Sequence, residues 1–189
     1  MQIMIRPSSD MPCATWQGGR TFELAIGPEG ARYADRDFGF RISSATVDAE
    51  ASVFTLLPDY DRYLMPLSDA LQLYHEDGAP IRLEPFQTYC FDGGRDTRSV
   101  GRAQDFNLML RKNLWCGDMQ AHRFAAGERV CLPALRDGAV RIVYLYRGRA
   151  QLEGCGAIAE GDVVQADGRA LRFTGETEGV LVEAWAARR

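Results

Sequence analysis

One stretch, Asp105-Phe106-Asn107-Leu108-Met109-Leu110-Arg111, sets an acid, an amide, a thioether and a guanidinium on every second residue. A strand has a side-chain period of two, so the stretch reads as a strand with an apolar back (Phe106, Leu108, Leu110) and a polar front. Asp105, Asn107 and Arg111 together offer acceptors, donors and a fixed positive fork, the groups that recognise a small polar ligand. The same front also fits the solvent face of an antiparallel sheet, polar for no functional reason.

Other segments carry groups of the same kind. Phe38 to Val47 alternates, with Phe40 and Ile42 on one face and Arg41, Ser43 and Ala45 on the other. An arginine beside small residues has room to line a pocket, where it can grip a carboxylate with two parallel N–H bonds. It can equally snorkel to solvent. Thr21 to Ile26 alternates as well and places Glu23 on its polar face. Asn107 can orient a ligand with one donor and one acceptor. Glu23 or Asp105 can hold an arginine or meet an amino or imidazole group. Arg62 follows Asp61; Asp61 with Arg62, and Asp105 with Arg111, can also be ordinary structural ion pairs.

Other chemistries lack their residues. Transition metals are most often held by imidazole, and the only histidines, His75 and His122, lie far apart in no ligand spacing. No metal and no cofactor is therefore expected. No P-loop, nucleophile elbow or dinucleotide fingerprint occurs, and no residue is assigned as catalytic. The net charge of −4 and the absence of a Lys/Arg run argue against a nucleic-acid partner, and the charge gives no support for an anionic membrane. The opening Met1-Gln2-Ile3-Met4-Ile5-Arg6-Pro7 has neither the apolar run nor the basic start of a secretory signal, and no run approaches the ~18 apolar residues of a membrane span. Five widely spaced cysteines without CxxC read as reduced, mostly buried thiols of a cytoplasmic protein.

The elements that must position these residues are strands. No window of about 11 residues shows a good helical period. Further strand-like runs are Val53 to Leu57, Arg62 to Leu67, Ala70 to Tyr74, Ile81 to Leu83, Thr88 to Phe91, Arg141 to Tyr146, Ala150 to Leu152, Val163 to Gln165, Leu171 to Phe173 and Val180 to Trp185. Turns such as Glu76-Asp77-Gly78 and Asp92-Gly93-Gly94 separate them. Arg95 to Arg102 reads as a charged lead-in to the Asp105 strand. There is an internal echo: Tyr63 to Leu73 resembles Ile142 to Leu152, and Phe91-Asp92-Gly93 falls where Ala166-Asp167-Gly168 does. An all-β fold of two jelly-roll or cupin-type units follows, meeting between about Arg111 and Gly127. With 189 residues, 46% of them hydrophobic, the chain can fill one domain or two small fused units.

Five segments together resemble the HutD/Ves family, associated with histidine utilisation. They are Trp16 with Gly18-Gly19 and Thr21-Phe22-Glu23-Leu24-Ala25; Phe40-Arg41-Ile42-Ser43-Ser44-Ala45; Phe54 with Pro58 and Asp61-Arg62; Glu84-Pro85-Phe86; and Asp105-Phe106-Asn107-Leu108-Met109. The resemblance implies one bicupin domain over 1–189, with an N-terminal cupin-like unit of about 1–115 and a C-terminal one of about 116–189. It also implies a small polar pocket in the N-terminal barrel. Trp16, Thr21, Glu23, Arg41, Ser43, Arg62, Asp105 and Asn107 are the expected ligand-binding residues. The implied ligand is a small acidic metabolite such as formylglutamate or urocanate, sensed to moderate histidine catabolism. An enzyme, isomerase or hydrolase-like, with Glu23 or Asp105 as general acid or base stays open. So do a pure interaction module and a homodimer. One departure stands out: the family's Lys-Asn-Gly-Gly-Gly is here Gln17-Gly18-Gly19-Arg20, so a lysine is missing and Arg20 stands nearby.

Overall fold

The computed structural model describes residues 3–76 and 78–189. These form nineteen strands and two single-turn 3₁₀ segments, Ser8–Asp10 and Tyr33–Asp35, with no α-helix among the described residues. The chain divides into two compact units: an N-terminal one of Pro12–Cys116, and a C-terminal one that joins the opening segment through Met11 to Gly117–Arg189. The opening segment forms β1 (Met4–Pro7). The N-terminal unit then runs β2 (Cys13–Trp16), β3 (Gly19–Gly27), β4 (Phe40–Val47), β5 (Ala51–Val53), β6 (Tyr60–Pro66), β7 (Leu71–His75), β8 (Ile81–Leu83), β9 (Tyr89–Asp92), β10 (Thr97–Val100) and β11 (Ala103–Arg111). β12 (Trp115–Phe124), β13 (Arg129–Leu132), β14 (Val140–Arg147), β15 (Arg149–Leu152), β16 (Gly156–Ala159), β17 (Asp162–Asp167), β18 (Leu171–Gly175) and β19 (Gly179–Arg188) follow.

The N-terminal unit has a six-stranded sheet, β2-β3-β4-β11-β6-β9, and a four-stranded sheet, β5-β10-β7-β8. The C-terminal unit has a five-stranded sheet, β1-β17-β14-β19-β12, and a four-stranded sheet, β13-β18-β15-β16. The two orders superimpose: β4-β11-β6-β9 corresponds to β12-β19-β14-β17, and β5-β10-β7-β8 to β13-β18-β15-β16. The echo in the sequence thus pairs β6 with β14 and β7 with β15. In the N-terminal unit, Leu64, Phe91 and Ala103 of one sheet meet Leu71, Leu73 and Leu83 of the other, so this core lies between the two sheets. The C-terminal core is built the same way from residues such as Val143, Val164 and Leu181 against Leu152, Ile158 and Phe173. Both are antiparallel sandwiches whose inner faces alternate with outer ones.

Several local expectations change. The opening residues belong with the C-terminal unit, not with 1–115, because β1 pairs with β17 from Met4↔Gln165 to Pro7↔Asp162. Of the run Val53 to Leu57 only Val53 is strand, as the last residue of β5; Phe54 to Leu57 leaves the ladder to cross over Arg62. The charged stretch 95–102 contains β10, whose Thr97 and Ser99 point inward between outward Arg98 and Val100. β7 and β8 pair, but Asp77 of the Glu76-Asp77-Gly78 turn lies outside the described residues, as do Met1 and Gln2. The cysteines are not mostly buried: Cys13, Cys90, Cys131 and Cys155 are exposed and Cys116 is half-buried, with no disulfide among them. Cys90 and Cys131 take the outward positions of alternating strands. Among the described residues no helix is long and apolar enough to cross a membrane.

Candidate functional site

Three neighbouring strands, β4, β11 and β6, set the site in rows. Register pairs Arg41 with Met109 and Met109 with Arg62, so the two arginines flank one methionine across the sheet. The next row is Glu23, Ser43 and Asn107, and the third is Thr21, Ala45 and Asp105. Residues in register on adjacent strands share a face. That face is the inner one, since Ala103 of β11 and Leu64 of β6 on it join the inter-sheet core. The opposite positions, Ile42, Phe106 and Leu108, are completely buried as well. The polar front of β11 is therefore not a solvent face.

The rows open into a cavity of about 340 Å³. Of the eight residues expected from the sequence, Trp16, Thr21, Arg41, Ser43, Arg62, Asp105 and Asn107 line it, and Glu23 does not. Glu23 stands one step back, where it accepts a 2.7 Å hydrogen bond from Arg41 Nε. The sequence reading missed Tyr33, Phe54, Thr55 and Met109 as lining residues. Met109 was legible in principle, because it shares the face of Asp105 and Asn107. Tyr33, Phe54 and Thr55 sit on connections, where no periodicity marks them. Arg20 is exposed and absent from the lining, so it does not stand in for the missing lysine. The glycines next to it serve packing. A Cβ at Gly18 would fall 2.1 Å from Trp16 Cζ3, and one at Gly19, 1.8 Å from the Thr46 carbonyl oxygen. Trp16 lies over Gly18 and donates from Nε1 to Thr21 Oγ1 at 3.2 Å.

The two arginines differ in their partners. Arg41 is buried, bonded to Glu23, donates from Nη1 to Ser43 Oγ at 3.3 Å, and has its guanidinium 4.3 Å from the Tyr33 ring centroid. Arg62 is equally buried but forms no ion pair among the described residues. Its Nη1 makes a long 3.3 Å bond to the Thr55 carbonyl, its Nε has no hydrogen-bond partner, and its guanidinium sits 4.7 Å from the Phe54 ring centroid. Burial pushes its pKa down to about 10, so it remains a cation at neutral pH.

Asp105 is also buried. It accepts hydrogen bonds from Asn107 Nδ2 and from the backbone N–H of Ala45. Burial drives its carboxyl up to about 7, against the opposing pull of Arg62, Asn107 and Ala45. Burial alone would raise the Tyr33 phenol. A hydrogen bond with Thr55 and the nearby Arg36 and Arg62 outweigh that and hold it below its usual value. His75 and His122 are elsewhere: His75 bonds Thr97 and Tyr89, and His122 Nε2 lies 3.3 Å from Glu183 Oε2.

Fold and cavity together define a bicupin: two cupin-like β units in one chain, with a cavity inside the N-terminal one. The HutD family profile matches residues 8–182, and the chain belongs to the HutD family. Among solved structures, a conserved protein of unknown function, PA5104 from Pseudomonas aeruginosa PAO1, is 23% identical, with a TM-score of 0.81 over 99% of this chain and 100% of its own. HutD from Pseudomonas fluorescens SBW25, solved in a formate condition, is 21% identical, with a TM-score of 0.76 over the whole of both chains. The bacterial pirin YhhW from Escherichia coli, in complex with nickel(II), shares the fold at 9% identity, with a TM-score of 0.71 over 99% of each chain. Comparison with curated proteins gave no match.

A nickel-type centre does not fit this cavity. Its lining offers two guanidinium cations and a single carboxylate, with no histidine or cysteine. Imidazole and thiolate are what such ions select, and cations repel them. Among the described residues no group of three or more His, Cys, Asp or Glu stands close enough to hold an ion.

Proposed function

We propose that this chain is a metal-independent binding protein for a small acidic metabolite, whose carboxylate is held by Arg41 and Arg62. The observation that carries the reading is the charge of the cavity. Two buried guanidiniums face it, and among the described residues only Arg41 has a protein carboxylate at ion-pair distance. A buried cation without a counter-ion is costly, and an incoming carboxylate relieves that cost. The volume and the mostly apolar wall, with a few placed polar groups, suit a metabolite of roughly amino-acid size. Family membership supports histidine catabolism as the setting, with formylglutamate or urocanate as ligand and sensing or moderation of the pathway as the role. The reading needs no nucleic acid and no membrane, and it suits a cytoplasmic protein. It is silent on dimerisation.

A dose-dependent rise in melting temperature with one of these compounds, followed by calorimetry, tests it. Arg41→Ala is expected to weaken binding about ten- to a hundredfold, the worth of a lost charge-assisted bond, while the fold persists. Unchanged affinity would remove Arg41 from the site. The Asp105 carboxyl favours a second reading, a small-molecule isomerase or hydrolase-like enzyme, because a group near 7 suits general acid–base work. Product formation from a compound that binds, lost in Asp105→Asn, would favour it.

A further inference from the structure

The sequence lets Asp105 hold an arginine, but among the described residues no arginine stands at ion-pair distance from it, and Arg62 acts on it from farther away. Arg41 is already matched by Glu23 at 2.7 Å. The protein groups that reach the Asp105 carboxyl, Asn107 Nδ2 and the Ala45 N–H, are neutral donors. They leave acceptor or donor capacity on the same carboxyl directed at the cavity it lines.

We propose that Asp105 binds ligand as a neutral acid, donating its O–H to an uncharged acceptor on a molecule whose carboxylate is seated at the arginines. The inference rests on the binding reading above and deepens it by naming the ligand class: a carboxylate that also carries a neutral hydrogen-bond acceptor, such as an amide or formyl carbonyl or a ring nitrogen. Asp105 is then the residue that selects the second group, while the arginines select the first.

The charged groups around Asp105 make this consistent. Arg62 on β6 is the cation that acts on it most strongly and favours its ionised form. A ligand carboxylate on Arg62 cancels that influence and adds a negative charge nearby, so the bound complex favours the protonated carboxyl still further. Arg41 on β4 is matched by Glu23 on β3. Tyr33, with Arg36 beside it, stands on the turn between β3 and β4, and Thr55, Arg36 and Arg62 hold its phenol below its usual range. Binding above neutrality therefore takes up one proton from solvent, which ends on an Asp105 oxygen.

The test uses the intact chain with two probes: formylglutamate, which has a formamide carbonyl, and glutarate, which has the same chain of carboxylates and carbons without it. Calorimetry at pH 6 and pH 8, in buffers of different ionisation enthalpy, reads affinity and proton uptake together. For the wild type, formylglutamate is expected to be favoured over glutarate by at least about tenfold at pH 6. Its affinity falls about tenfold by pH 8, with uptake approaching one proton. Asp105→Asn cannot take up a proton, so its affinity for formylglutamate, at whatever level, no longer changes between pH 6 and pH 8 and no uptake accompanies binding. An affinity for formylglutamate that does not change with pH in the wild type, or one that still falls between pH 6 and pH 8 in Asp105→Asn, overturns the inference and leaves the binding reading standing. A wild type that takes neither probe at either pH overturns both.

Discussion

Arg62 and Arg141 occupy the same place in the two units. The echo in the sequence aligns them, β6 corresponds to β14, and both side chains point into their own sandwich. What surrounds them differs. Arg141 is wholly buried, its Nε lies 2.7 Å from Glu183 Oε1, and its two terminal nitrogens donate to the carbonyls of Pro133 and Arg169. The space around it is filled by the apolar core of Val143, Leu145, Leu181 and their neighbours. Arg62 has aromatic rings, one long bond to a carbonyl and an open cavity. The difference teaches how to read a buried arginine. Where the chain supplies its counter-charge and acceptors, the arginine is a structural strut. Where it does not, the arginine is held ready for something that arrives from outside.

The largest expected effect separates these two roles. Arg141→Met takes the arginine partner from the Glu183 carboxylate, which is only about 10% exposed, leaves it His122 Nε2 at 3.3 Å, and should destabilise the chain by about 3–5 kcal/mol in chemical denaturation. Arg62→Met removes a buried cation that forms no ion pair among the described residues. It should leave the unliganded protein as stable, or more stable by about 1 kcal/mol, while abolishing binding of the acidic ligand. Equal losses of stability from the two substitutions would erase the distinction.

Much of this architecture could be read from the sequence, and the reasons are local. Alternation marks β3, β4 and β11, because an inner apolar position every second residue is what a two-layer fold demands. The echo from Tyr63 to Leu73 survives because equivalent strands and turns impose the same demands twice. Alternation does not say which face is inner when both are buried. Phe106 and Leu108 are as buried as Asp105, so the choice between solvent face and cavity needed the register of β4, β11 and β6. Tyr33, Phe54 and Thr55 were out of reach, because loops carry no period and reach the site only through the path of the chain. The family resemblance puts Glu23 among the ligand contacts, while its residue type equally allows it to hold an arginine; in the structure it accepts from Arg41 Nε and stands outside the cavity lining.

A smaller effect compares Asp105 with an ordinary surface carboxylate through stability alone. Its folded-state pKa of about 7 lies above the unfolded value near 4, so the folded chain binds the extra proton between those limits. Stability from this group is fully present below about pH 4 and is lost as pH rises through about 7, a total of a few kcal/mol at most. Asp105→Asn carries no such titration. Its melting temperature should approach or exceed that of the wild type by pH 8, with a difference that shifts in its favour from pH 4 to 7 and is flat beyond. A difference that stays constant across that range would mean the carboxyl is ionised throughout.

The smallest effect concerns the two arginines of the cavity itself. Glu23 is about 23% exposed, so its pairing with Arg41 is partly screened by solvent. It can act in two ways that oppose one another. As an anchor it fixes the guanidinium of Arg41 in place. As a competitor it offsets the charge that Arg41 would otherwise lend to a ligand. Glu23→Gln separates them, because the amide oxygen still accepts from Arg41 Nε while the negative charge is gone. If the hydrogen bond is what positions Arg41, stability changes by less than about 1 kcal/mol and affinity for an acidic ligand rises, by less than about tenfold. Arg62, which has no such partner, gains nothing from the change, so Glu23→Gln in an Arg62→Met background should fail to restore binding. A fall in affinity in Glu23→Gln alone would show that the charge of Glu23, and not merely its acceptor, holds Arg41 where the ligand needs it.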